Sequence, residues 1–542
     1  MEKIRRNNKK TLIIGVDGAT FNIVNTLIKR GRLPNMARLM ENGSYGPLES
    51  TIPVVSPVAW TSFMTGTNPG THGIFDFSGR VPNSYRFKIN NATDIRAKPL
   101  WVILSELQKT VCVIGVTMTY PPDNVNGYMI SGLGTPPDMN CTFTHPPGLD
   151  KEIEEKFGKF IVVPKVNLRF MGKSRKEKAR YIKRVFAATE QRTKIFKYLW
   201  GKESFDFGMA FFLDTDGVSH YFWKHMDTSH RDHDHQSARE FGDVIFKVYE
   251  KVDESIGEII SCINKECHII IVSDHGFGPL ERVLFLNNWL MERGYLRFKK
   301  NYGIKRLRSI LSKIKGENAV LSDLLEMVHW KKTRAFFNGT VGNIFINLKG
   351  REPEGIVEPG EEYERLCRQL KEELYELTDP ENGERIVERV YRKEEVFKGE
   401  CDECSPDLTI ILKPRYGVVG QEIFAHGLKD RGKIILDSNN WSGDHESDGI
   451  LIVHGPSIKT GEKITGARII DVVPTILHFM GFPIPKDMDG RVLVKAFKDD
   501  FLNSNKIVFS TDSTKKEGPS LKYNESEEKL ITDRLKDLGY LE

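Results

Sequence analysis

The sequence alternates short, continuous apolar runs with longer stretches of helical spacing. Each run stops at a polar cluster, which is typical of strands buried on both faces of a parallel sheet. The runs are KTLIIGVDG (10–18), TVCVIGV (110–116), DFGMAFFLD (206–214), CHIIIVSDHG (267–276) and DGILIVHG (448–455). Between them, segments such as FNIVNTLIKRGRLPNMARLMENG (21–43) have helical spacing, with breaks at Gly31 and Pro34. Strands that alternate with helices predict an α/β fold with a largely parallel sheet.

Acidic and histidine side chains follow these strands, at the ends where ligands gather in parallel sheets. The residues in these positions are Asp17, Asp214, Asp216, Asp274 and His275. His220 comes one helical turn after Asp216 in DTDGVSH, and His445 comes just before the last strand in GDHESDG. Taken singly, each residue is explained as a turn, cap or surface residue.

Taken together, these residues indicate a metal centre. Three of these aspartates, Asp17, Asp216 and Asp274, and the three histidines supply ligands for two divalent cations, with zinc as the first expectation and manganese as the alternative. Two cations about 4 Å apart can stabilise the attacking and leaving oxygens of an in-line displacement at phosphorus. The combination therefore predicts phosphoryl-transfer chemistry.

The segment VVSPVAWTSFMTG (54–66) holds the hydroxyls from which a nucleophile can be chosen. Ser56 before Pro57 predicts an N-cap followed by proline at the first helical position. The free amides of a helix N-terminus also bind phosphate oxygens. Thr61, Ser62 and Thr65 fall in the body or last turn of this helix. Ser56 is therefore the predicted nucleophile and an additional metal ligand, and the alternative is a plain helix cap.

These motifs resemble the alkaline phosphatase superfamily, specifically its type I phosphodiesterase/nucleotide pyrophosphatase family. The matching segments are IIGVDGAT, SPVAWTSFMTGTNPGTHGI, DTDGVSH, IVSDHGFGP, GDHESDGILIVHGP and DVVPTILHFMGFPIPKDMDGR. The resemblance implies an alkaline-phosphatase-like sandwich with a mostly parallel central sheet, helices on both faces and a cap insertion. It implies hydrolysis through a phosphorylated Ser56. It also implies two ligand sets, one of Asp216, His220 and His445, and one of Asp17, Ser56, Asp274 and His275.

The chain departs from the family pattern at two positions. Nucleotide pyrophosphatases usually have threonine as the nucleophile, where this chain has Ser56. Their asparagine in the HGI motif, which helps to hold a phosphoryl oxygen, is replaced by Phe77. These departures argue against carrying over nucleotide specificity. Other segments resemble prokaryotic proteins described as phosphohydrolases or phosphomutases.

The preferred function is hydrolysis of small phosphodiesters or pyrophosphates. A phosphomonoesterase or phosphomutase using the same site remains an alternative, and so does a catalytically silent binding protein. A sulfatase is excluded because Ser56 lacks the Cys/Ser-x-Pro-x-Arg context. The even balance of 79 basic and 74 acidic residues argues against binding to a nucleic-acid duplex.

Composition changes along the chain predict a discontinuous core of 1–295 and 421–500. They also predict a charged cap insertion at 296–420 and a polar tail at 501–542 with a C-terminal helix. The chain has no apolar run long enough for a transmembrane helix and no signal-peptide core, so we expect a cytoplasmic protein. The seven scattered cysteines agree with a reducing compartment.

Three further segments are interpreted without a function. CDEC (401–404) is most simply a surface turn, because no further ligands complete a zinc site. The basic segments 170–184 and 298–316 are interpreted as solvated helix faces. The alternative is a rim that attracts an anionic substrate or a phospholipid surface. After His220, the histidine-rich segment 220–235 is expected to form an exposed loop, and the alternative is an accessory metal site.

Overall fold

The computed structural model describes most of the chain between residues 10 and 538. The ranges outside the description are 1–9, 138–140, 166–170, 172–173, 264–265, 300–324, 326, 401–402, 419–432, 439–440, 517–520 and 539–542. The described residues of 1–74, 91–279 and 439–538 form one compact unit. Those of 75–90 and 280–438 form a second unit.

The first unit contains a large mixed sheet built from the apolar runs of the sequence. Its strands are β1 (Thr11–Val16), β2 (Ser44–Glu49), β5 (Val111–Ile114), β6 (Gly127–Ile130), β7 (Thr144–His145), β8 (Phe207–Phe212), β9 (His268–Val272), β18 (Asp448–His454), β19 (Glu462–Lys463) and β20 (Ala467–Arg468). Their order is β19-β2-β18-β9-β1-β8-β5-β6-β7, and β20 pairs with β2. All residues of β1, β8 and β9 are buried, which explains why these strands, after Thr11 and His268 at their starts, are continuously apolar rather than alternating.

The register of the central strands brings three predicted polar clusters to one edge. β1 pairs in parallel with β8 on one side and with β9 on the other. Gly15 of β1 lies opposite both Phe211 and Val272, so the chain leaves all three strands at about the same level. β18 is antiparallel to β9 and β2. The predicted α/β fold with a mostly parallel sheet is therefore confirmed.

Helices of the first unit connect these strands. They are α1 (Phe21–Lys29), α2 (Pro34–Glu41), α3 (Ser56–Thr65), α4 (Pro69–His72), α5 (Leu100–Glu106), α6 (Leu149–Phe157), α7 (Arg175–Lys202), α8 (Asp214–Met226), α9 (His235–Phe241), α10 (Val244–Ser261), α14 (Val472–Met480), α15 (Asp499–Ser504) and α16 (Glu525–Leu538). The segment predicted as helical over 21–43 forms α1 and α2, separated near Gly31 and Pro34 as expected. The predicted C-terminal helix is α16.

The second unit has its own sheets and helices. They comprise β3 (Ser78–Arg80), β4 (Phe87–Ile89), α11 (Leu286–Glu292), β11 (Ala335–Phe337), β12 (Gly342–Ile346), α12 (Glu361–Tyr375), β13 (Val387–Arg392), α13 (Lys393–Val396), β14 (Leu408–Leu412), β15 (Arg415–Val418) and β16 (Ile435–Asp437). One sheet has the order β11-β12-β14-β13. Its core includes Phe336, Ile344 and Leu370.

Three short strands complete the chain. They are β17 (Gly443–Glu446), β21 (Ile484–Pro485) and β22 (Phe509–Ser510), all in the first unit. A longer strand, β10 (Gly276–Leu284), contributes its first residues to the first unit and its later residues to the second. The second unit takes in the segment 296–420 that was predicted as an insertion, together with the earlier hairpin β3–β4.

A buried ion pair stabilises the second unit. Asp407 is fully buried and accepts two hydrogen bonds from Arg351, at 2.8 and 2.7 Å. It also accepts from the Tyr363 hydroxyl at 2.9 Å and from the backbone N–H of Ile346 at 2.6 Å. Burial opposes ionisation, but the charge and hydrogen bonds of Arg351 outweigh it and hold the pKa of Asp407 below its ordinary value.

Asp407→Asn is therefore expected to lower the free energy of unfolding by about 3 kcal/mol, because it removes one of the two buried carboxylates that balance the Arg351 guanidinium and leaves only Glu352. Chemical denaturation measures the change. Glu376→Gln is the matched control, because Glu376 forms an exposed pair with Arg385 in the same unit. The control should cost less than about 1 kcal/mol. Equal losses in the two variants would contradict the assignment.

Within the described residues, no helix combines the length and the apolarity that crossing a membrane requires. The cytoplasmic location stays a prediction. Of the two basic segments, 170–184 contributes to the first turns of α7, where Arg175, Lys176 and Arg180 are exposed. Most of 298–316 and the first half of the CDEC motif lie outside the described residues.

Candidate active site

The first half of the site is a triangle of ligand atoms from Asp216, His220 and His445. The Asp216 Oδ1 lies 3.4 Å from His220 Nε2 and 3.2 Å from His445 Nε2. The two histidine nitrogens are 3.2 Å apart. Bonds of about 2.0–2.1 Å to a tetrahedral zinc ion put neighbouring ligand atoms about 3.3 Å apart. The triangle therefore fits one cation with a position left open.

The second half is formed by Asp17, Asp274, His275 and Ser56. The His275 Nε2 lies 3.2 Å from Asp274 Oδ2, 3.6 Å from Asp17 Oδ1 and 3.2 Å from the Ser56 Oγ. All four side chains are fully buried. The carboxylate and imidazole atoms lie within 4.8 Å of one another, which fits a second cation with the hydroxyl beside it.

The two halves are adjacent. The rings of His275 and His445 stack with their centroids 3.7 Å apart. Ligand atoms of Asp216, His275 and His445 also fall within 4.8 Å of one another, so this trio bridges the two groups. The candidate ligand groups therefore form one continuous cluster rather than two separate ones.

Backbone carbonyls orient all three histidines. The Nδ1–H groups of His220 and His275 donate to Gly443 O and Gly276 O, each at 2.9 Å. The Nδ1–H of His445 donates to Val54 O at 3.3 Å. In the neutral ring this leaves each Nε2 with a lone pair that faces the clusters. Metal-binding histidines commonly use this outer hydrogen bond to fix the ring and the tautomer.

Each carboxyl group of the second group has one oxygen atom without a hydrogen-bond partner among the described residues. Asp17 Oδ1 and Asp274 Oδ2 are buried and accept no hydrogen bond from the described residues. Burial, together with the charges of Asp274 and Asp216, raises the pKa of Asp17 well above its ordinary value. Burial likewise raises the pKa of Asp274 to about 7. Carboxylates crowded in this way are stabilised by a cation, and the donor set therefore suits a divalent metal.

In the first group, Asp216 is ionised against its burial. Burial alone favours the neutral acid, but His220 and His445 together hold the pKa of Asp216 well below its ordinary value. Burial also disfavours the charged form of His445, yet the hydrogen bond and charge of Asp216 raise its pKa to about 9. Asp216 and His445 therefore stabilise each other as an ion pair of opposite charges.

The sequence model of the type I phosphodiesterase / nucleotide pyrophosphatase family matches residues 11–447. The chain belongs to this family. Membership supports hydrolysis of phosphoester or pyrophosphate bonds. No curated protein matches the sequence.

Two solved structures share the fold at low sequence identity. Murine ectonucleotide pyrophosphatase/phosphodiesterase 5 is 14% identical, with 88% of this chain and 95% of that chain covered and a TM-score of 0.50. Phosphonoacetate hydrolase from Sinorhizobium meliloti 1021, in complex with phosphonoacetate, is also 14% identical. That match covers 86% of this chain and 94% of that chain, with a TM-score of 0.52. These two structures confirm the fold expected from the sequence, and the family model confirms the family resemblance.

The structure brings together all seven side chains that the family resemblance singled out. Asp17, Asp274 and His275 follow β1 and β9, while Asp216 and His220 share one face of α8. His445 lies in β17, opposite Phe277 of β10. The roles of these residues as ligands and nucleophile stay predictions.

One detail of the helix that carries Ser56 differs from the prediction. Ser56 is the first residue of α3 rather than its N-cap, a position taken by the extended residue Val55. Pro57 is therefore the second helical residue. A backbone N–H at this position would have no partner within the helix, so the missing N–H of proline costs no hydrogen bond. The Ser56 Oγ is left to approach His275 instead of capping the helix.

The remaining polar residues of this region bond elsewhere. Thr61 and Thr65 donate to backbone carbonyls one turn earlier in α3, and Ser62 bonds to His72 Nε2 at 2.8 Å. Asp214 forms a buried pair with Arg192 at 3.1 Å. These contacts are structural and make no use of the two ligand groups.

The prediction of an exposed loop after His220 was wrong for His225 and His230, which are buried. His225 still belongs to α8, and its Nε2 accepts from Lys178 Nζ at 3.1 Å. Its Nδ1–H therefore donates to the Ser237 Oγ, at 3.0 Å. A histidine that donates to a serine cannot act as that serine's base, so this array is structural.

Three residues that contact the ligand groups were not predicted from the sequence. Asp444 lies with His220 and His445 in a third group of close ligand atoms. The Trp441 ring stacks on His220 at 3.9 Å. The Trp60 indole donates to Asp17. Only Asp444 had a local signal, its place directly before His445 in the GDH sequence.

Proposed function

We propose that the protein is a two-metal hydrolase of small phosphate esters that acts through Ser56 and prefers phosphodiesters or pyrophosphates. The observation that carries this proposal is the convergence of three oriented histidine Nε2 atoms and unsatisfied carboxylate oxygens beside one buried hydroxyl. Burying unpaired carboxylate oxygens beside oriented imidazoles costs free energy, and a protein that only binds partners gains nothing from that cost. We therefore prefer the enzyme over the silent binding protein.

The ligand sets divide the site between two cations. One cation would be held by Asp216, His220 and His445. The other would be held by Asp17, Asp274 and His275, with Ser56 beside it. When bound, these cations would supply Lewis-acid stabilisation of phosphoryl charge and would lower the pKa of the serine hydroxyl. The mixture of imidazole and carboxylate ligands favours zinc over manganese.

Ser56 performs the displacement in this proposal. Its oxygen forms a bond to phosphorus while the bond to the leaving oxygen breaks, and the serine proton passes to solvent. Water then cleaves the phosphoserine, which releases the phosphate product and restores the hydroxyl. Ser56 begins α3, Pro57 has no N–H, and the N–H groups of Val58 and Ala59 donate to Val55 O. The Ser56 N–H is therefore the first-turn group placed to donate to a negative oxygen of the substrate.

The chemistry favours a small anionic substrate. The phosphonoacetate hydrolase with the same fold was solved with phosphonoacetate, a small anion. We extend to this chain the expectation of a compact phosphorus-containing anion, with phosphodiesters first. Phosphomonoesterase or phosphomutase activity is the alternative that the assay below separates.

The test measures hydrolysis of bis-p-nitrophenyl phosphate, p-nitrophenyl phosphate and phosphonoacetate. We expect diester hydrolysis to fall by more than about 10²-fold after EDTA treatment and dialysis, because the ligand groups lose their cations. Zn²⁺ should restore it, and Mn²⁺ is the comparison ion. Faster turnover of the monoester than of the diester would contradict the diesterase assignment and favour a phosphatase or a mutase. A folded, metal-loaded protein inactive on all three substrates would overturn the proposal.

A further inference from the structure

Trp60 connects the helix of the proposed nucleophile to the carboxylate of Asp17. Its indole Nε1–H donates to Asp17 Oδ2 at 2.9 Å, and both side chains are fully buried. The other oxygen, Oδ1, is the one that lies 3.6 Å from His275 Nε2. The indole thus occupies one carboxylate oxygen and leaves the second facing the ligand group.

The indole is held in place from several sides. Trp60 lies one helical turn after Ser56 in α3. Its ring meets Phe63 and Phe211 edge-on, at centroid distances of 5.3 and 4.9 Å. Gly15 of β1 provides the space, because a Cβ there would lie 3.0 Å from the Trp60 ring and 2.9 Å from Phe211. The donor therefore has little freedom to turn away from Asp17.

We propose that Trp60 is a positioning residue for the second cation. Its N–H holds Asp17 so that Oδ1 alone is offered to the metal, in fixed register with the Ser56 hydroxyl. A carboxylate without this hydrogen bond can rotate and offer either oxygen or both, and ordering it on binding costs affinity. The inference rests on the proposed two-cation function, but it concerns a side chain that is neither a ligand nor a nucleophile.

Partners that orient metal ligands typically contribute 10- to 100-fold to metal affinity. A buried hydrogen bond to a charged group is also stronger than one between neutral groups, which favours a large effect here. Trp60→Phe is therefore expected to weaken binding of one Co²⁺ or Zn²⁺ ion by roughly 10- to 100-fold. Binding of the other ion, held by Asp216, His220 and His445, should stay at the wild-type level.

Trp101→Phe is the matched control. Trp101 is equally buried in the same unit, and its indole N–H also donates to a carboxylate, Asp123 Oδ2, at 3.0 Å. Both variants lose an indole donor and the same volume. Only one of the two carboxylates belongs to a ligand group, so a general packing effect would act on both variants alike.

The experiment titrates Co²⁺ into metal-free wild type, Trp60→Phe and Trp101→Phe. It follows the visible absorption of bound cobalt, and equilibrium dialysis with Zn²⁺ gives the stoichiometry. Selective loss of one ion in Trp60→Phe, with two ions retained in the wild type and in Trp101→Phe, supports the proposal. Wild-type affinity for both ions in Trp60→Phe overturns it.

A second variant covers the case in which Trp60→Phe does not fold. Benzothienylalanine at position 60 keeps the bicyclic shape and replaces the N–H by sulfur, so it removes little besides the donor. It should show the same selective loss, and unchanged binding overturns the proposal. If the wild type itself binds fewer than two ions, the two-cation function fails first and this inference fails with it.

Discussion

Ser56→Ala is expected to reduce hydrolysis of bis-p-nitrophenyl phosphate by roughly 10³-fold or more, because the variant lacks the oxygen that attacks phosphorus. The change removes one small polar atom from a fully buried position. The six carboxylate and imidazole ligands remain, so the variant should still bind two cations. Steady-state kinetics gives the loss, and metal analysis of the same sample shows that the centre is intact.

Ser62→Ala is the control for this experiment. Ser62 lies in the same helix, is equally buried, and bonds to His72 rather than to the ligand groups. It should cost about 1 kcal/mol of stability and leave turnover near the wild-type value. Mass spectrometry of acid-quenched wild type should also find phosphate on Ser56. Full activity in Ser56→Ala would reduce this serine to an ordinary residue of the first helical turn.

His220→Ala should remove one of the two cations and lower diester hydrolysis by more than about 10²-fold. The expected loss exceeds the 10- to 100-fold effect of an outer partner, because a ligand itself is removed. His220 contributes one vertex of a triangle whose edges are 3.2 to 3.4 Å, and Asp216 with His445 alone cannot close it. Equilibrium dialysis with Zn²⁺ measures the number and affinity of bound ions.

His225→Ala provides the comparison on the same helix. His225 is buried like His220, but its two nitrogens bond to Lys178 and Ser237. Its removal should lower stability by about 1 to 3 kcal/mol and leave both cations in place. If the two alanine variants lose metal and activity equally, the loss reflects damage to α8 and the ligand assignment of His220 is wrong.

The fold follows largely from local pattern. Strands buried on both faces of a parallel sheet must be apolar throughout, so the runs that became β1, β8 and β9 were visible without any partner. The break between α1 and α2 could also be predicted from nearby residues, because Gly31 and Pro34 interrupt helical geometry in any context. Only part of the second unit could be predicted from the sequence. Its hairpin β3–β4 is separated from its other strands by a long stretch of the first unit.

The choice of site residues also began in the sequence. Polar residues that end buried strands must gather at one edge of a parallel sheet, which brought Asp17 and Asp274 together. The one-turn spacing of Asp216 and His220 set them on one helix face. Burial of His225 could not be predicted, because a histidine next to charged residues gives no local sign that its hydrogen bonds are satisfied inside the protein.

The sequence by itself therefore determined the apolar strands, the helices between them and the set of chemical groups at the sheet edge. The tertiary structure decided which atoms face one another. The carbonyl that orients His220 comes from Gly443, 223 residues later in the chain, and the indole that holds Asp17 comes from Trp60, 43 residues later. Such partners leave no periodic signal, because hydrogen-bond geometry depends on the packing of elements that are distant in sequence.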